Sequence, residues 1–364
     1  MGGSGVIPSW KVKRELARLG QQLRAIPEAI WEPLAYGRYD RRFPADLTIR
    51  PGLAAPSGDV ALVLIYPRPV LPDSTVNLCR SLVAAGFAPL VVSNAPLDAA
   101  AQARLAPHVW HLVERPNIGH DFGGYRDGIR LLWHWNLRPD RLLILNDSVW
   151  LLDNDAGALV ARLQAAGGDV AGSILRVRGD ERFLESYCYL IGRHALQSPA
   201  FRSYWQRLRL TSNKYKVIRR GERGHSAALI AGGLRLVPAF DEAAFRAGLE
   251  TLDDNRLAQV LRFAAWPGPQ DAAAAADLAA RSHEPGWRAE ALALIDRTLP
   301  RGQFYSLFPV AARTGLGYPF LKRSGDRVAQ SWRRAFLAGV RAGAIPAPEP
   351  AILAELDARV AKDA

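Results

Sequence analysis

Short apolar runs alternate with helix-like segments through the first half of the chain. Residues 60–66 are continuously apolar, which is typical of a strand buried on both faces of a parallel sheet. Further strands are predicted at 88–93, 108–113, 141–145, 169–175, 186–191 and 234–239, and helices at 71–86, 99–106, 123–135, 157–166, 198–208, 226–231, 272–280, 331–343 and 350–361. This alternation indicates βαβ units. The predicted fold class is α/β, Rossmann-like, with a mainly parallel sheet and helices on both faces.

The first residues have a different pattern. Val12, Leu16, Leu19 and Leu23 form a narrow apolar stripe with Lys and Arg beside it, which predicts an amphipathic helix over 9–30. This helix can pack on its own domain, form a dimer seam, or lie on the inner leaflet of a membrane. We therefore predict a basic helical arm and linker at 1–56, an α/β domain at 57–330, and a C-terminal helical extension at 331–364.

The charge of the chain favours an anionic partner. The formal net charge is +12, and residues 201–224 contain eight basic side chains and one acid, Glu222. No zinc-finger spacing or RNA-binding signature accompanies the basic residues, so nucleic acid is disfavoured. A pyrophosphate-bearing substrate or a membrane surface fits better, although a compositional bias toward Arg also explains the charge.

Cysteines and hydropathy indicate the compartment. Cys79 and Cys188 lie far apart without metal-ligand partners, and we predict that both are buried thiols in a reducing environment. The Gly-rich start is unlike a signal peptide, and no stretch reaches the roughly 18 apolar residues that a membrane span needs. The expected location is cytoplasmic, at most peripheral on the inner membrane.

Two polar clusters follow predicted strands, where open α/β sheets bind their ligands. The first, 115–128, combines four glycines with Asn117, Asp121 and Tyr125. Its glycines permit close backbone approach, and the amides that begin the next helix can hold a phosphate. A tight turn alone would also explain the glycines.

The second cluster is Asn146, Asp147 and Ser148, directly after the apolar run 142–145. One carboxylate flanked by neutral oxygens suits a hard cation, Mg²⁺ or Mn²⁺, that keeps several waters and holds a diphosphate. A capped turn is the alternative explanation.

Five segments in order resemble one family. They are RPNIGHDFGGYRDG at 115–128, RLLILNDSVW at 141–150, ESY at 185–187, ERGHS at 222–226 and GYPFLKR at 317–323. Together they are similar to the landmarks of the rhamnan synthesis protein F family, over about residues 58–330. The resemblance implies a GT-A-like glycosyltransferase that uses a nucleotide-sugar donor such as dTDP-L-rhamnose. It also implies a lipid-linked or polysaccharide acceptor, as in O-antigen synthesis.

The resemblance also implies roles for particular residues. Asn117, Gly119 and Asp121 would contact the nucleotide, and Asp147 would hold a diphosphate-bound metal. The donor-site set is completed by residues of the same motifs and of the basic stretch, namely Tyr125, Asn146, Ser148, Arg219 and Arg220. The chain departs from the family pattern at Gly221, where the family often has Tyr, and at Glu185, where it often has Gln.

An inverting transfer requires a carboxylate that accepts the proton of the attacking hydroxyl. The candidates are Glu222, Glu185 and Asp180, and we favour Glu222 because its basic neighbours would lower its pKa. Glu222 can instead simply pair with Arg219 or Arg223. Two other functions remain open, namely transfer of another sugar and a non-catalytic polysaccharide-binding or scaffold role.

Overall fold

The structure is a computed structural model that describes residues 32, 34, 36–67, 70–282 and 284–363. The predicted helix 9–30 lies outside the described residues. The described strands are β1 Thr48–Pro51, β2 Asp59–Ile65, β3 Ala88–Ser93, β4 His111–Glu114, β5 Arg141–Asn146, β6 Val149–Leu151, β7 Val170–Gly172, β8 Leu175–Arg178, β9 Glu181–Leu184, β10 Cys188–Gly192, β11 Leu236–Pro238 and β12 Phe320–Lys322.

The helices follow the same order along the chain. They are α1 at residues 36–42, α2 Asp73–Ala84, α3 Ala99–Leu105, α4 His120–His134, α5 Ala156–Ala166, α6 Arg193–Gln197, α7 Pro199–Arg207, α8 Lys214–Val217, α9 Gly224–Ala231, α10 Glu242–Thr251, α11 Asp254–Arg262, α12 Pro269–Ala280, α13 Trp287–Thr298, α14 Phe304–Leu307, α15 Pro309–Thr314, α16 Arg327–Arg341 and α17 Pro350–Lys362. A π-helical turn, Ile218–Arg223, joins α8 to α9, and single 3₁₀ turns follow α3 and α13.

One large sheet organises the described chain. Eight strands lie in the order β1-β4-β3-β2-β5-β10-β7-β11. The strands β4, β3, β2 and β5 are mutually parallel, and β11 is parallel to β7. Strand β10 runs antiparallel between β5 and β7, and β1 runs antiparallel on the edge beside β4. The predicted α/β class with a mainly parallel sheet is therefore confirmed.

Helices cover both faces of this sheet. Along β2, Ala61 and Val63 belong to one apolar core, whereas Leu62 and Leu64 belong to the other, as the alternation of side chains in a strand requires. Helices α2, α3, α5 and α17 contribute to the first core, and α4, α7 and α9 to the second. Both cysteines are buried free thiols, as predicted.

The two ends of the described chain belong to this unit. Strand β1 pairs with β4, so residues 48–51 extend the central sheet rather than a linker. Trp332 and Phe336 of α16 and Leu356 of α17 lie in the same core as β2. The predicted boundaries at 56 and 331 therefore do not mark edges of the core. Among the described residues, none of the helices combines the length and apolarity that crossing a membrane takes.

Candidate functional site

A buried ion pair fixes the loop between β4 and α4. Arg115 Nε donates to Asp127 Oδ2 at 2.7 Å, and neither side chain is exposed to solvent. Arg115 also donates to Asn94 Oδ1 at 2.6 Å and to the carbonyl of Ile118 at 2.7 Å. The side chains of Arg115, Asp127 and Asn94 position the first cluster, and the sequence analysis assigned them no role. The signal available in the sequence was that Arg115 and Asp127 bracket the glycine-rich motif.

The glycines of this motif serve packing. Gly119 has φ +77° and precedes the first residue of α4, a conformation that favours glycine. A Cβ on Gly123 would lie 1.9 Å from the carbonyl oxygen of Ile118, and one on Gly124 or Gly128 would lie within 2.4 Å of a leucine methyl on β2. The three glycines within α4 therefore permit a close backbone approach, as expected, but the approach is that of the helix to the sheet and to Ile118.

This packing predicts a stability effect. Gly123→Ala is expected to lower the free energy of unfolding by about 1–3 kcal/mol, since the new methyl overlaps a backbone carbonyl. Gly248→Ala in α10, where a Cβ meets nothing within 4 Å, is the control and should raise it by about 0.5–1 kcal/mol. Urea unfolding of both variants measures the difference, and equal midpoints would contradict the packing role.

Asn146, the last residue of β5, joins the two predicted clusters. Its amide nitrogen donates to Asp121 Oδ2 at 3.2 Å and to the hydroxyl of Tyr125 at 2.8 Å. Its amide oxygen accepts from the backbone N–H and the hydroxyl of Ser148. Asn146 therefore holds the start of α4 and the end of β5 in one polar recess at the carboxyl edge of the sheet.

Two carboxylates share this recess. Burial raises the pKa of Asp147 to about 6, and the positive charge of Arg323 acts in the opposite direction. Burial and the charge of Asp147 raise the pKa of Asp121 to about 6. Asp147 Oδ2 accepts one hydrogen bond, from the backbone N–H of Tyr66 at 2.6 Å. The recess thus holds two hard oxygen ligands at a cost in electrostatic free energy, which a bound cation would offset.

A cation here would take ligands from outside the protein as well. Among the described residues, no group of three or more His, Cys, Asp or Glu side chains is arranged to hold a metal. Two carboxylates nevertheless fit Mg²⁺ or Mn²⁺, because such ions bind through one or two carboxylates and complete their shell with waters and phosphates.

Glu222 lies beside the recess, and within the described part of the chain it does not form the alternative ion pair with Arg219 or Arg223. Its Oε1 accepts from the backbone N–H of Ser186 at 2.9 Å. Burial raises its pKa, and the charge of Glu185 adds to that rise, so the predicted lowering by basic neighbours is wrong. Arg223 pairs at 3.0 Å with Glu181 instead. A half-buried carboxylate with a raised pKa is better suited to accept a proton than an exposed, paired one.

The packing around Gly221 explains why this position has no side chain, where the family that the sequence resembles often has Tyr. A Cβ on Gly221 would lie 2.4 Å from the ring of Phe122, so no side chain fits at this position. Phe122 in turn stacks on Trp205 at 5.9 Å between ring centroids. The aromatic packing beneath the π-helical turn therefore takes the space that a tyrosine would need.

Glu185 is the second carboxylate of this region, and it is buried more deeply than Glu222. It is 7% exposed, and its Oε1 accepts from the Tyr305 hydroxyl at 2.8 Å and from Arg176 at 3.2 Å. Its Oε2 has no hydrogen-bond partner within the described part of the chain. Buried oxygens of this kind are uncommon and call for a functional explanation.

The remaining predicted residues lie farther out. Asp180 is exposed at the tip of the β8–β9 hairpin, so it does not join the other carboxylates. Asn117 and Arg219 are exposed, and Arg220 is half-buried. The basic stretch does not form one cluster, since Arg202 stacks over Trp133 near the end of α4 that is opposite to Asp121.

Lys322 and Arg323 both reach the site. Lys322 is the last residue of β12, which pairs antiparallel with β6, and Arg323 follows it. The backbone N–H of Arg323 donates to the carbonyl of Ser148 at 2.8 Å. The charge of Arg323 acts on Asp147, whereas that of Lys322 acts on Glu222. Both side chains therefore act on carboxylates of the site.

The five sequence landmarks converge in space. Asn146 donates to Asp121, the Tyr125 hydroxyl donates at 2.8 Å to the carbonyl of Ser186, and Ser186 donates to Glu222. Arg323 completes the chain of contacts through Ser148. Segments that are up to two hundred residues apart in sequence therefore form one connected polar site.

Comparisons with known proteins do not identify the site. No protein-family model matches the chain. The chain is 32% identical over 218 residues to the uncharacterized protein y4gN of Sinorhizobium fredii, covering 59% of this chain and 57% of that protein. The chain thus spans less than two thirds of the length of that relative.

Two solved structures overlap loosely with the fold. One is a mannosyltransferase from Pyrobaculum calidifontis in complex with GDP-mannose and Mn²⁺, with a TM-score of 0.29 at 13% identity, over 94% of this chain and 90% of that chain. The other is residues 1–349 of Staphylococcus aureus TarS, with a TM-score of 0.24 at 10% identity, over 84% and 88%. Similarity at this level carries no argument, and any functional conclusion depends on the residues of this chain.

Proposed function

We propose that this chain is a GT-A-like glycosyltransferase that moves a sugar from a nucleotide diphosphate to a saccharide acceptor. The observation that carries the proposal is the convergence of the five landmarks on one carboxylate-lined recess, at the edge of the sheet where α/β proteins bind ligands. Within this proposal, the donor is dTDP-L-rhamnose and the acceptor is a bacterial surface polysaccharide, on the strength of the motif resemblance alone.

The donor diphosphate belongs at Asp121 and Asp147. These residues would hold Mg²⁺ or Mn²⁺, which when bound neutralises the diphosphate and makes it a better leaving group. Arg323 places a positive charge beside Asp147. Asn146 donates to Asp121 and accepts from the backbone N–H of Ser148, the residue after Asp147. These hydrogen bonds hold the segments that carry both carboxylates in place. The recess therefore combines anionic ligands with a cationic side chain, as a diphosphate–cation complex requires.

The proton acceptor belongs at Glu222. The acceptor oxygen bonds to the anomeric carbon as the bond from that carbon to the diphosphate breaks, and the hydroxyl proton passes to the carboxylate. The raised pKa of Glu222 suits this step, because a stronger base takes a proton more readily. Hydrogen bonds from the backbone and the side chain of Ser186 hold this carboxylate in position.

Donor binding is tested by thermal shift with dTDP, UDP and GDP, each with and without Mn²⁺. A nucleotide at 100 times its dissociation constant adds about 2.7 kcal/mol to the free energy of unfolding. We expect dTDP with Mn²⁺ to raise Tm most. A rise in Tm with another nucleotide would mean that the protein is a glycosyltransferase with a different donor sugar. No rise in Tm with any nucleotide would favour a non-catalytic scaffold.

Glu222→Gln separates catalysis from binding. We expect turnover to fall by at least a hundredfold, since general-base catalysis contributes about 10²–10⁴-fold. The affinity for the nucleotide should stay within twofold, because the amide oxygen can still accept from Ser186. Near-normal turnover in this variant would exclude Glu222 as the base. Glu181→Gln, which removes the exposed partner of Arg223, is the matched control and should leave turnover unchanged.

A further inference from the structure

A cavity that shares no lining residue with the recess at Asp147 lies near Glu185. It has a volume of about 440 Å³ and lies between the β8–β9 hairpin and helices α14 and α16. Its polar lining includes Arg176, Gln303, Ser306 and Lys322. The cavity is thus rich in hydrogen-bond donors that suit a hydroxylated ligand.

Two of the lining residues connect this cavity to Glu185. Arg176 and Tyr305 both line it, and both donate to Glu185 Oε1. The other oxygen, Oε2, is buried and lacks a partner among the described residues. A buried carboxylate oxygen without a hydrogen bond lowers the stability of the fold. Contacts elsewhere in the fold do not explain why such an oxygen lies behind the cavity wall.

The cavity is also connected to Glu222. Lys322 lines it, and the charge of Lys322 acts on Glu222. The next residue, Arg323, instead acts on Asp147 and lines the recess beside it. Because neighbouring side chains of an extended segment point in opposite directions, the end of β12 separates two subsites.

We propose that this cavity is the acceptor subsite and binds the hydroxyl-bearing end of a saccharide. This assignment rests on the proposed transferase function. A volume of about 440 Å³ falls within the range of about 300–1,000 Å³ found for ligand pockets, and it is large enough for more than one sugar ring. The acceptor then lies next to Glu222 and Glu185, while the donor lies beyond β12 at Asp147. The two substrates approach the carboxylates from opposite sides.

Saccharide binding is measured directly by saturation-transfer NMR. The probes are an α-L-rhamnosyl trisaccharide, chitobiose and maltotriose, each in the presence of dTDP and Mn²⁺. Val328 lines the cavity and is 62% exposed, so Val328→Trp narrows it without disturbing the core. We expect at least tenfold weaker binding of the best saccharide in this variant. Gln303→Leu, which removes a lining amide at similar volume, should weaken binding several-fold.

The controls keep this proposal separate from the donor site. Val83→Trp on α2 adds the same side chain to a half-exposed position outside the cavity and should bind the saccharide like the wild type. The affinity for dTDP should be unchanged in all three variants. The acceptor assignment is wrong if none of the saccharides binds the wild-type protein. It is also wrong if the Val328→Trp variant binds the best saccharide as tightly as the wild type does. If the wild-type protein does not bind dTDP, the proposed transferase function is wrong instead.

A final comparison distinguishes the two sources of such a saccharide. The best trisaccharide is offered free and linked to farnesyl diphosphate. Equal affinity would identify the end of a free polysaccharide as the ligand, and at least tenfold tighter binding of the linked form would identify a lipid-linked acceptor. Either result supports the subsite, provided that Val328→Trp weakens both.

Discussion

Replacing Arg115 with methionine is expected to lower the free energy of unfolding by about 3–5 kcal/mol. The substitution leaves Asp127 as a buried charge without its main partner, and breaking one side of a fully buried ion pair costs about this much. It also releases Asn94 and the carbonyl of Ile118, both of which accept from Arg115. The loop that leads to Asp121 loses its anchor at the same time. Urea unfolding measures the loss.

Two further variants test the cause of this effect. Arg42→Met removes an exposed pair with Asp46 and should change stability by less than about 1 kcal/mol. The double variant Arg115→Met/Asp127→Leu removes both buried charges and should recover much of the loss, because an apolar pair of similar volume can replace a buried ion pair. A double variant as unstable as Arg115→Met would show that the hydrogen bonds to Asn94 and Ile118 dominate.

The strands and helices around the site were predictable from local patterns. The apolar run at 60–66 corresponds to β2, and 141–145 corresponds to β5, because both strands are buried on two faces. The predicted helix at 123–135 starts three residues too late. The structure begins α4 at His120, directly after Gly119, whose left-handed conformation ends the loop. Glycine content alone does not reveal at which glycine a loop becomes a helix.

The short and the non-local elements were not predictable. Strands β6 and β12 have three residues each, and their pairing joins Trp150 to Leu321. No periodicity develops over three residues, so only the folded structure brings Arg323 to Ser148. For the same reason the sequence favoured Glu222 over Glu185 and Asp180 only on the charge of its neighbours, and it could not show that Asp180 is exposed at a hairpin tip.

Charge in the sequence was a poor guide to electrostatics in the site. Glu222 stands among eight basic residues, yet burial has the largest effect on its pKa and raises it. Arg202 and Arg223 have partners elsewhere, Trp133 and Glu181 respectively. The reason is that Coulomb interactions depend on distance and desolvation rather than on sequence separation. The net charge of a segment therefore does not predict the sign of a pKa shift within it.

The carboxylate recess predicts a trade-off between stability and binding. Asp147→Asn is expected to raise the free energy of unfolding at pH 7.5 and to weaken binding of dTDP with Mn²⁺ at least tenfold. The ordinary pKa of this carboxyl is 3.8 and burial raises it to about 6, so the native state binds protons more tightly than the unfolded chain. Stability therefore falls as pH rises from about 4 to about 6, and above pH 6 the full cost of the buried charge remains. A shift of this size corresponds to at most about 3 kcal/mol, and partial solvent access reduces the gain to about 1–2 kcal/mol.

The pH dependence distinguishes this explanation from a general effect of the substitution. At pH 5 most of the wild-type carboxyl is already protonated, so the stability gain of Asp147→Asn should shrink, and wild-type binding of dTDP with Mn²⁺ should weaken as well. Asp180→Asn, at the exposed hairpin tip, is the control and should change neither property at either pH. A variant that lost stability at pH 7.5 would mean that the hydrogen bond from Tyr66 outweighs the cost of the charge. Since a site that only stabilised the fold would not retain a destabilising carboxylate, a gain in stability with a loss of binding is the result that ties Asp147 to a cationic ligand.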